Sequence, residues 1–262
     1  MTTAAVLTAA GSGTRLGLPG PKALVELAGV PLVLHAARRL AASGVVDAIW
    51  VTVPPGRSAG FRALLAGPVR PGIGVPVTVV EGSTSRQASV AAGLAALPPG
   101  VDVVLVHDAA RALASSALVR SVEAAVRRGH RAVVPGLPVA DTIKQVGPAV
   151  DPHAAAAGAD GDGPGGMATV LPVVATVPRD TMRAVQTPQG FERALLDAAH
   201  AAGRDRAGDE RTAATDDAAL VEAIGVQVWV VPGEDAAMKI TTTRDLAVAE
   251  LLARGSGAGA GG

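Results

Sequence analysis

Arg15 and Lys22 flank the most chemically suggestive stretch of the chain, Ala9-Ala10-Gly11-Ser12-Gly13-Thr14-Arg15-Leu16, which Pro21-Lys22 closes. Glycines let a backbone approach a ligand closely and turn its N–H groups inward. Two fixed cations beside such a turn suit a polyphosphate, and a nucleotide is the expected carrier. A Walker A loop needs Gly-Lys followed by Ser or Thr, whereas Lys22 follows Pro21 and precedes Ala23. A dinucleotide fingerprint needs a third glycine where Leu16 stands, and Gly17 comes one position late. Both common phosphate loops are therefore excluded. The alternative is an ordinary Gly-rich surface turn, against which Arg15 and Lys22 together argue.

Apolar strand-like runs alternate with helical patterns around this loop. Expected strands are Ala4–Leu7, Ala48–Val53, Val75–Val80, Val101–Val106 and Ala132–Val134. Expected helices start at Pro31 and stop near Gly44, lie around Phe61–Leu65, and span Ser85–Leu97 and Ala117–Arg127. The β-α-β-α order implies an α/β fold with a doubly wound, mainly parallel, Rossmann-like sheet covered on both faces. Such sheets bind ligands beyond the carboxyl ends of their strands. The Gly loop, Glu81-Gly82-Ser83 and His107-Asp108 all fall at such ends and are expected to share one crevice.

The pattern breaks after Pro138. Asp141–Val146 has strand character, residues 147–168 are rich in Gly, Ala, Asp and Pro, and Arg183–Gln186 reads as a returning strand. The reading is a single domain over 1–253. Within it, 139–185 forms a projecting β arm with a flexible insertion at 147–168, and 254–262 is a disordered tail. Thr187–Phe191 follows the returning strand, and Glu192–Ala202 is expected to be helical. Thr215 reads as the N-cap of a helix that opens with Asp216-Asp217. Gln227–Val231 and Met238–Ile240 read as strands, and Thr243–Arg254 as a helix with Leu246 and Leu251 inward.

Composition narrows the function. Lys plus Arg, at 23, equals Asp plus Glu, at 23, so no net charge draws the protein to nucleic acid or an acidic membrane. Tyr is absent, and Phe and Trp number two each, which argues against base stacking as the main function. The absence of cysteine excludes disulfides and thiolate metal sites and fits a cytoplasmic location. No leader pattern opens the chain, and no apolar run reaches membrane-spanning length.

Several islands combine into a resemblance. Ala9–Leu16 with Pro21-Lys22 resembles the signature of sugar-phosphate nucleotidyltransferases. Val106-His107-Asp108-Ala109-Ala110-Arg111 narrows this to cytidylyltransferases. Asp141–Lys144, Ala184–Gln189, Thr215-Asp216-Asp217 and Lys239-Ile240-Thr241 then follow in order. The set resembles the 2-C-methyl-D-erythritol 4-phosphate cytidylyltransferase family of the nonmevalonate isoprenoid pathway, over residues 4 to about 253 apart from the insertion. The resemblance implies transfer of CMP from CTP to methylerythritol phosphate with release of pyrophosphate. It also implies magnesium as cofactor and a homodimer whose arms complete each other's sites.

In that reaction the nucleophile is a phosphate oxygen, already ionised at neutral pH. Catalysis then consists of positioning and charge neutralisation, with no Ser-His-Asp relay. The resemblance makes Arg15, Lys22 and Lys239 the catalytic cations. Ala9, Ala10, Gly11, Ser12, Gly13 and Ala109 would hold the nucleotide, and Gly82, Ser83 and Ser89 would read cytosine. Ser83 departs from the Gly-Gly that the family often carries there. Asp108, Arg111, Thr142, Arg179 and Thr215 would bind the acceptor, with Thr142 and Arg179 coming from a partner subunit and Arg183 competing with Arg179. His107 reads as a packed neighbour, Asp216 as a first-turn acid in preference to a magnesium neighbour, and the sequence identifies no magnesium ligands. The rival readings are a ribitol 5-phosphate cytidylyltransferase and a nucleotide-binding module without turnover. Arg15, Lys22 and Lys239 together oppose the second of these. Length opposes fusion to the next enzyme of the pathway.

Overall fold

The computed structural model describes residues 1–11, 13, 20–66, 72–148, 170–209 and 211–258. Ser12, Arg15, residues 149–168 of the insertion and residues 259–262 of the tail lie outside the described residues. The chain forms two compact units, Met1–Leu137 with Val185–Gly262, and Pro138–Ala184.

The first unit opens with β1 (Thr2–Thr8), the short strands β2 (Glu26–Leu27) and β3 (Val30–Pro31), α1 (Leu32–Ala41), β4 (Ala48–Val53) and α2 (Ser58–Ala66). It continues through β5 (Val77–Glu81), α3 (Arg86–Ala95), β6 (Val101–Asp108), α4 (Ser116–Arg127) and β7 (Ala132–Pro138). Strands β8 (Ile143–Val146) and β9 (Val173–Val177) belong to the second unit, and β10 (Arg183–Val185) leads back to the first. The chain ends with β11 (Gln189–Glu192), α5 (Arg193–Ala202), α6 (Asp217–Ala223), β12 (Trp229–Pro232) and α7 (Thr243–Ala258).

Strand alternation sorts the apolar residues onto two faces. Ala5 and Leu7 of β1 and Val103 and Leu105 of β6 pack with α1, α2 and α4 through residues such as Leu40, Phe61 and Val122. Ala4 and Val6, and Val104 and Val106, pack the other way against Val90 of α3, Leu196 of α5 and Leu220 of α6. The strands run in the order β7–β11–β6–β1–β4–β5, with β12 also pairing β7. The chain leaves β1 toward β4 and β5, then returns to the opposite side of β1 as β6. The β1–β6 boundary is therefore the topological switch point, where a ligand crevice opens.

The sheet is mixed, mainly parallel. Strand β11, unforeseen in the sequence, runs antiparallel to both β6 and β7. It is short and contains Gly190, so propensity gives no strand signal. That glycine is required by packing, since a Cβ there would lie 2.7 Å from Val122 and 3.0 Å from Val126 of α4. Gly190→Ala is expected to destabilise the protein by about 1–3 kcal/mol through overpacking. Urea unfolding with an unchanged midpoint would contradict this.

The structure departs from three further expectations. Asp216, not Thr215, caps α6, its carboxylate accepting from the Ala219 N–H. Met238–Ile240 is not a strand; it follows a 3-10 turn at Asp235–Ala237, and the Ile240 N–H bonds the Ala110 carbonyl. Leu251 is 70% exposed, whereas Leu246 packs with Ala249 and Ala253 against Leu27 and Leu32. Five residues turn a helix about 140° past its starting face, so Leu246 and Leu251 cannot share one side. Helix α7 also continues past Arg254 to Ala258.

In the second unit β8 and β9 form an antiparallel hairpin with Lys144 opposite Thr176, and the Lys144 Nζ donates to the Thr176 hydroxyl at 2.7 Å. A 3-10 turn at Arg179–Thr181 follows. No helix among the described residues is long and apolar enough to cross a membrane.

Candidate active site

The ends of β1 and β6 lie in register, Thr8 beside Asp108, and open onto a cavity of about 440 Å³. That size suits a nucleotide-scale ligand. The loop after β1 supplies one wall through Ala9, Ala10, Gly11, Gly13 and Lys22. The Ala9 N–H bonds the Thr52 carbonyl at 2.8 Å, and the Lys22 N–H bonds the Gly11 carbonyl at 3.3 Å. Gly13 adopts a φ of +73°, and a Cβ there would lie 2.9 Å from the Lys22 Cβ. Both glycine properties, left-handed backbone and missing side chain, thus bring Lys22 against the loop.

The segment after β5 supplies Ser83, Thr84, Ser85, Arg86 and Ser89. Ser85 caps α3, accepting from the Ala88 N–H at 3.0 Å, so the positive end of that helix borders the cavity. Ser89 is buried, accepts from the Ser83 N–H at 3.0 Å and donates to the Ser85 carbonyl at 2.8 Å. Gly82 lies behind this wall, where a Cβ would strike the Ser89 hydroxyl at 2.8 Å. Asp108, Ala109, Lys239 and Thr241 complete the lining, and the Ala109 N–H bonds the Thr8 carbonyl at 3.1 Å.

Asp108 is the electrostatic centre. Its Oδ2 lies 2.8 Å from the Lys239 Nζ, and its Oδ1 lies 3.3 Å from the Arg86 Nε and 3.2 Å from the Thr8 hydroxyl. Burial opposes ionisation here, but Arg86, Lys239 and Arg111 outweigh it and hold the carboxyl far below the usual carboxylate range. Arg86 also reaches back 2.8 Å to Asp217, whose other oxygen lies 2.9 Å from the His200 Nε2. Burial would raise the Asp217 carboxyl, yet Arg86 and His200 depress it. Arg86 escaped the sequence reading. Its partners lie 22 and 131 residues away, and only its position just after the Ser85 cap hinted at it.

His107 sits beside Asp108, fully buried, and burial pushes its imidazole down to about 4. It is neutral at pH 7, and its Nδ1 shares a 2.9 Å hydrogen bond with the Thr187 hydroxyl. The unfolded chain binds this proton first, from about pH 6.5 downward. His107 therefore costs no stability above that pH and progressively more toward pH 4, up to about 3 kcal/mol. Asp108 and Asp217, with depressed folded pKa values, lose their contribution only below the unfolded carboxylate range. His107→Gln is expected to narrow the stability difference between pH 7 and pH 4.5 in denaturant titrations; an unchanged difference would contradict the assignment.

The Gln186–Gln189 island is a bracket for the site. Gln186 exchanges two hydrogen bonds with Glu234, and the Thr187 hydroxyl accepts from the Asp108 N–H at 3.0 Å. Gln189 donates to Asp216 and accepts from the Ala218 N–H. Arg111 lies outside the cavity lining and donates to the carbonyls of Ala237 at 2.7 Å and Val185 at 3.2 Å. It thereby braces the segment that carries Lys239. Thr215 is exposed and also lies outside the lining. Thr142 and Arg179 belong to the second unit, where Arg179 donates to the Ala140 carbonyl and Arg183 to the carbonyls of Asp180 and Met182. No group of three or more carboxylate or imidazole residues among the described residues forms a metal cage.

A mainly parallel sheet with a cation-lined cavity at its switch point defines an α/β nucleotide-handling enzyme. Residues 3–154 and 166–254 match the family model for 2-C-methyl-D-erythritol 4-phosphate cytidylyltransferase, and the chain belongs to that family. It is 47% identical over 253 residues to the 2-C-methyl-D-erythritol 4-phosphate cytidylyltransferase of Streptomyces avermitilis, covering 96% of this chain and 92% of that one. The Streptomyces coelicolor protein of the same description is 46% identical, with 96% and 85% covered. The crystal structure of the Thermus thermophilus enzyme superposes with a TM-score of 0.67 at 37% identity, covering 97% of this chain and all (100%) of that chain. The chain is thus a cytidylyltransferase with methylerythritol phosphate cytidylyltransferase activity, in isoprenoid precursor biosynthesis by the nonmevalonate pathway.

Proposed function

We propose that the cavity binds CTP and that an oxygen of the methylerythritol phosphate attacks the α-phosphorus in line. A new P–O bond forms, the bond between the α- and β-phosphates breaks, and pyrophosphate leaves with the electron pair. The products are 4-diphosphocytidyl-2-C-methyl-D-erythritol and pyrophosphate. The observation that carries this reading is the convergence of Lys22 and Lys239, with the Asp108–Arg86 pair beside them, on one cavity at the switch point. Two anions must meet there, and side-chain cations with helix and loop N–H groups lower their repulsion. Arg15 and Lys22 would neutralise the departing pyrophosphate, and Lys239 the α-phosphate. Ser83, Ser89 and the backbone near Gly82 would frame the cytosine. Asp108 would receive acceptor hydroxyls, with Arg111 and Thr215 supporting that side.

Asp108 is the one carboxylate in the lining among the described residues, and it is ionised. Magnesium is often held by one or two carboxylates with substrate phosphates, so this donor set fits it and Asp108 would hold it. When bound, it would neutralise phosphate charge.

The second unit would pair two copies of the chain. Val146, Val173, Val174 and Met182 leave apolar surface exposed on it, and Thr142 and Arg179 would reach the partner's acceptor site. Sedimentation of an active preparation should show a dimer; full activity in a monomer would sink this arrangement.

Pyrophosphate release tests the acceptor. CTP with methylerythritol phosphate should give turnover, whereas CTP alone should not. Equal or faster turnover with ribitol 5-phosphate would overturn the acceptor assignment.

A further inference from the structure

We infer that Arg86 is a positioning residue that stays on Asp108 while Lys239 leaves it for a substrate phosphate. The inference rests on the reading of Lys239 as a phosphate-binding cation. The two cations that share Asp108 differ in their freedom to move. The Lys239 side chain is 42% exposed at the cavity mouth, and its ammonium ends a flexible stem. The Arg86 side chain is 17% exposed and is held from behind by Asp217, which is itself fully buried and bonded to His200. The guanidinium fork spans both carboxylates at once, Nε toward Asp108 and Nη1 toward Asp217.

A buried carboxylate stripped of its cation is strongly disfavoured. If Lys239 were the sole side-chain counter-ion of Asp108, moving to a phosphate would leave that buried carboxylate to the metal alone. Arg86 and the Thr8 hydroxyl remain on Oδ1 when Lys239 departs from Oδ2. Two carboxylates, Asp108 and Asp217, meet two permanent cations, Arg86 and Lys239, in this cluster, so negative charge that develops at the α-phosphate during transfer draws away the cation that is able to swing. Arg86 borders the cavity, but two of its nitrogens are committed to carboxylates, and it acts through Asp108.

A double-mutant cycle between Arg86→Gln and Lys239→Ala tests this, with CTP binding by calorimetry and thermal unfolding as controls. Arg86→Gln should lower kcat about 30-fold while CTP affinity changes less than threefold. In the Lys239→Ala background the same change should lower kcat less than threefold, since the cation to be released is already gone. Arg86→Lys keeps charge without the bridge and should fall between Gln and wild type. Because Arg86→Gln leaves Asp217 without its arginine, the Arg86→Gln/Asp217→Asn pair repeats the test with that buried charge removed.

Equal penalties in both backgrounds would overturn the inference, as would a kcat within twofold of wild type. Misfolding of both Arg86 variants would assign Arg86 to the framework and overturn it as well. Wild-type kcat in Lys239→Ala alone would overturn the Lys239 reading itself, and the inference with it.

Discussion

Lys22→Ala should lower kcat by about a hundred- to a thousandfold, the scale lost when one preorganised charge-stabilising group is removed. The expectation follows from how Lys22 is held. Its main-chain N–H is tied to Gly11, and its Cβ fills the space that Gly13 leaves empty. Its side chain therefore starts from a fixed point on the cavity wall. A cation placed in advance pays little reorganisation when charge builds on the departing pyrophosphate. The fold should survive, because Lys22 is only partly buried and its backbone bonds do not depend on the ammonium. Steady-state kinetics with calorimetric CTP binding separate the effects, and kcat within a few-fold of wild type would refute the neutralising role.

Asp108→Asn should lower kcat by about a hundredfold and also cost about 3 kcal/mol of stability. The stability loss arises because the carboxylate is the common partner of Lys239, Arg86 and Thr8. Neutralising it leaves Lys239 without its anchor and Arg86 with Asp217 as its remaining carboxylate, beside a buried, neutral His107. The loss of activity arises because Lys239 no longer starts from a defined position and the cavity lining loses its carboxylate. Kinetics and denaturant unfolding on one preparation would test both halves. A variant as stable and as fast as wild type would show that Asp108 is merely a neighbour.

The loop and strand ends were legible in the sequence because each is a local pattern. Gly11, Gly13 and Lys22 lie within a dozen residues, and Thr8, Glu81 and Asp108 terminate apolar runs. What could not be read is what depends on distant partners. Nothing near Arg86 announces that Asp108 and Asp217 will meet on either side of it. Gln189–Glu192 becomes a strand because β6 and β7 leave an antiparallel slot, and not because Gly190 prefers extended backbone. The cap of α6 falls on Asp216 since Gln189 fastens that carboxylate as well, a bond that spans 27 residues. Met238-Lys239-Ile240 has the composition of a strand but is pinned by Arg111 on the Ala237 carbonyl and by Ala110 on the Ile240 N–H.

In this mechanism the two lysines and the loop at the β1–β6 boundary promote attack by a substrate phosphate on the α-phosphate of CTP. Phosphorus NMR of the enzyme with CTP, methylerythritol phosphate and magnesium follows every phosphorus atom through this transfer. Paired diphosphate-diester resonances should grow in step with free pyrophosphate as CTP and acceptor disappear. Formation of CMP with pyrophosphate, or of CDP with phosphate, while methylerythritol phosphate remains intact would contradict it.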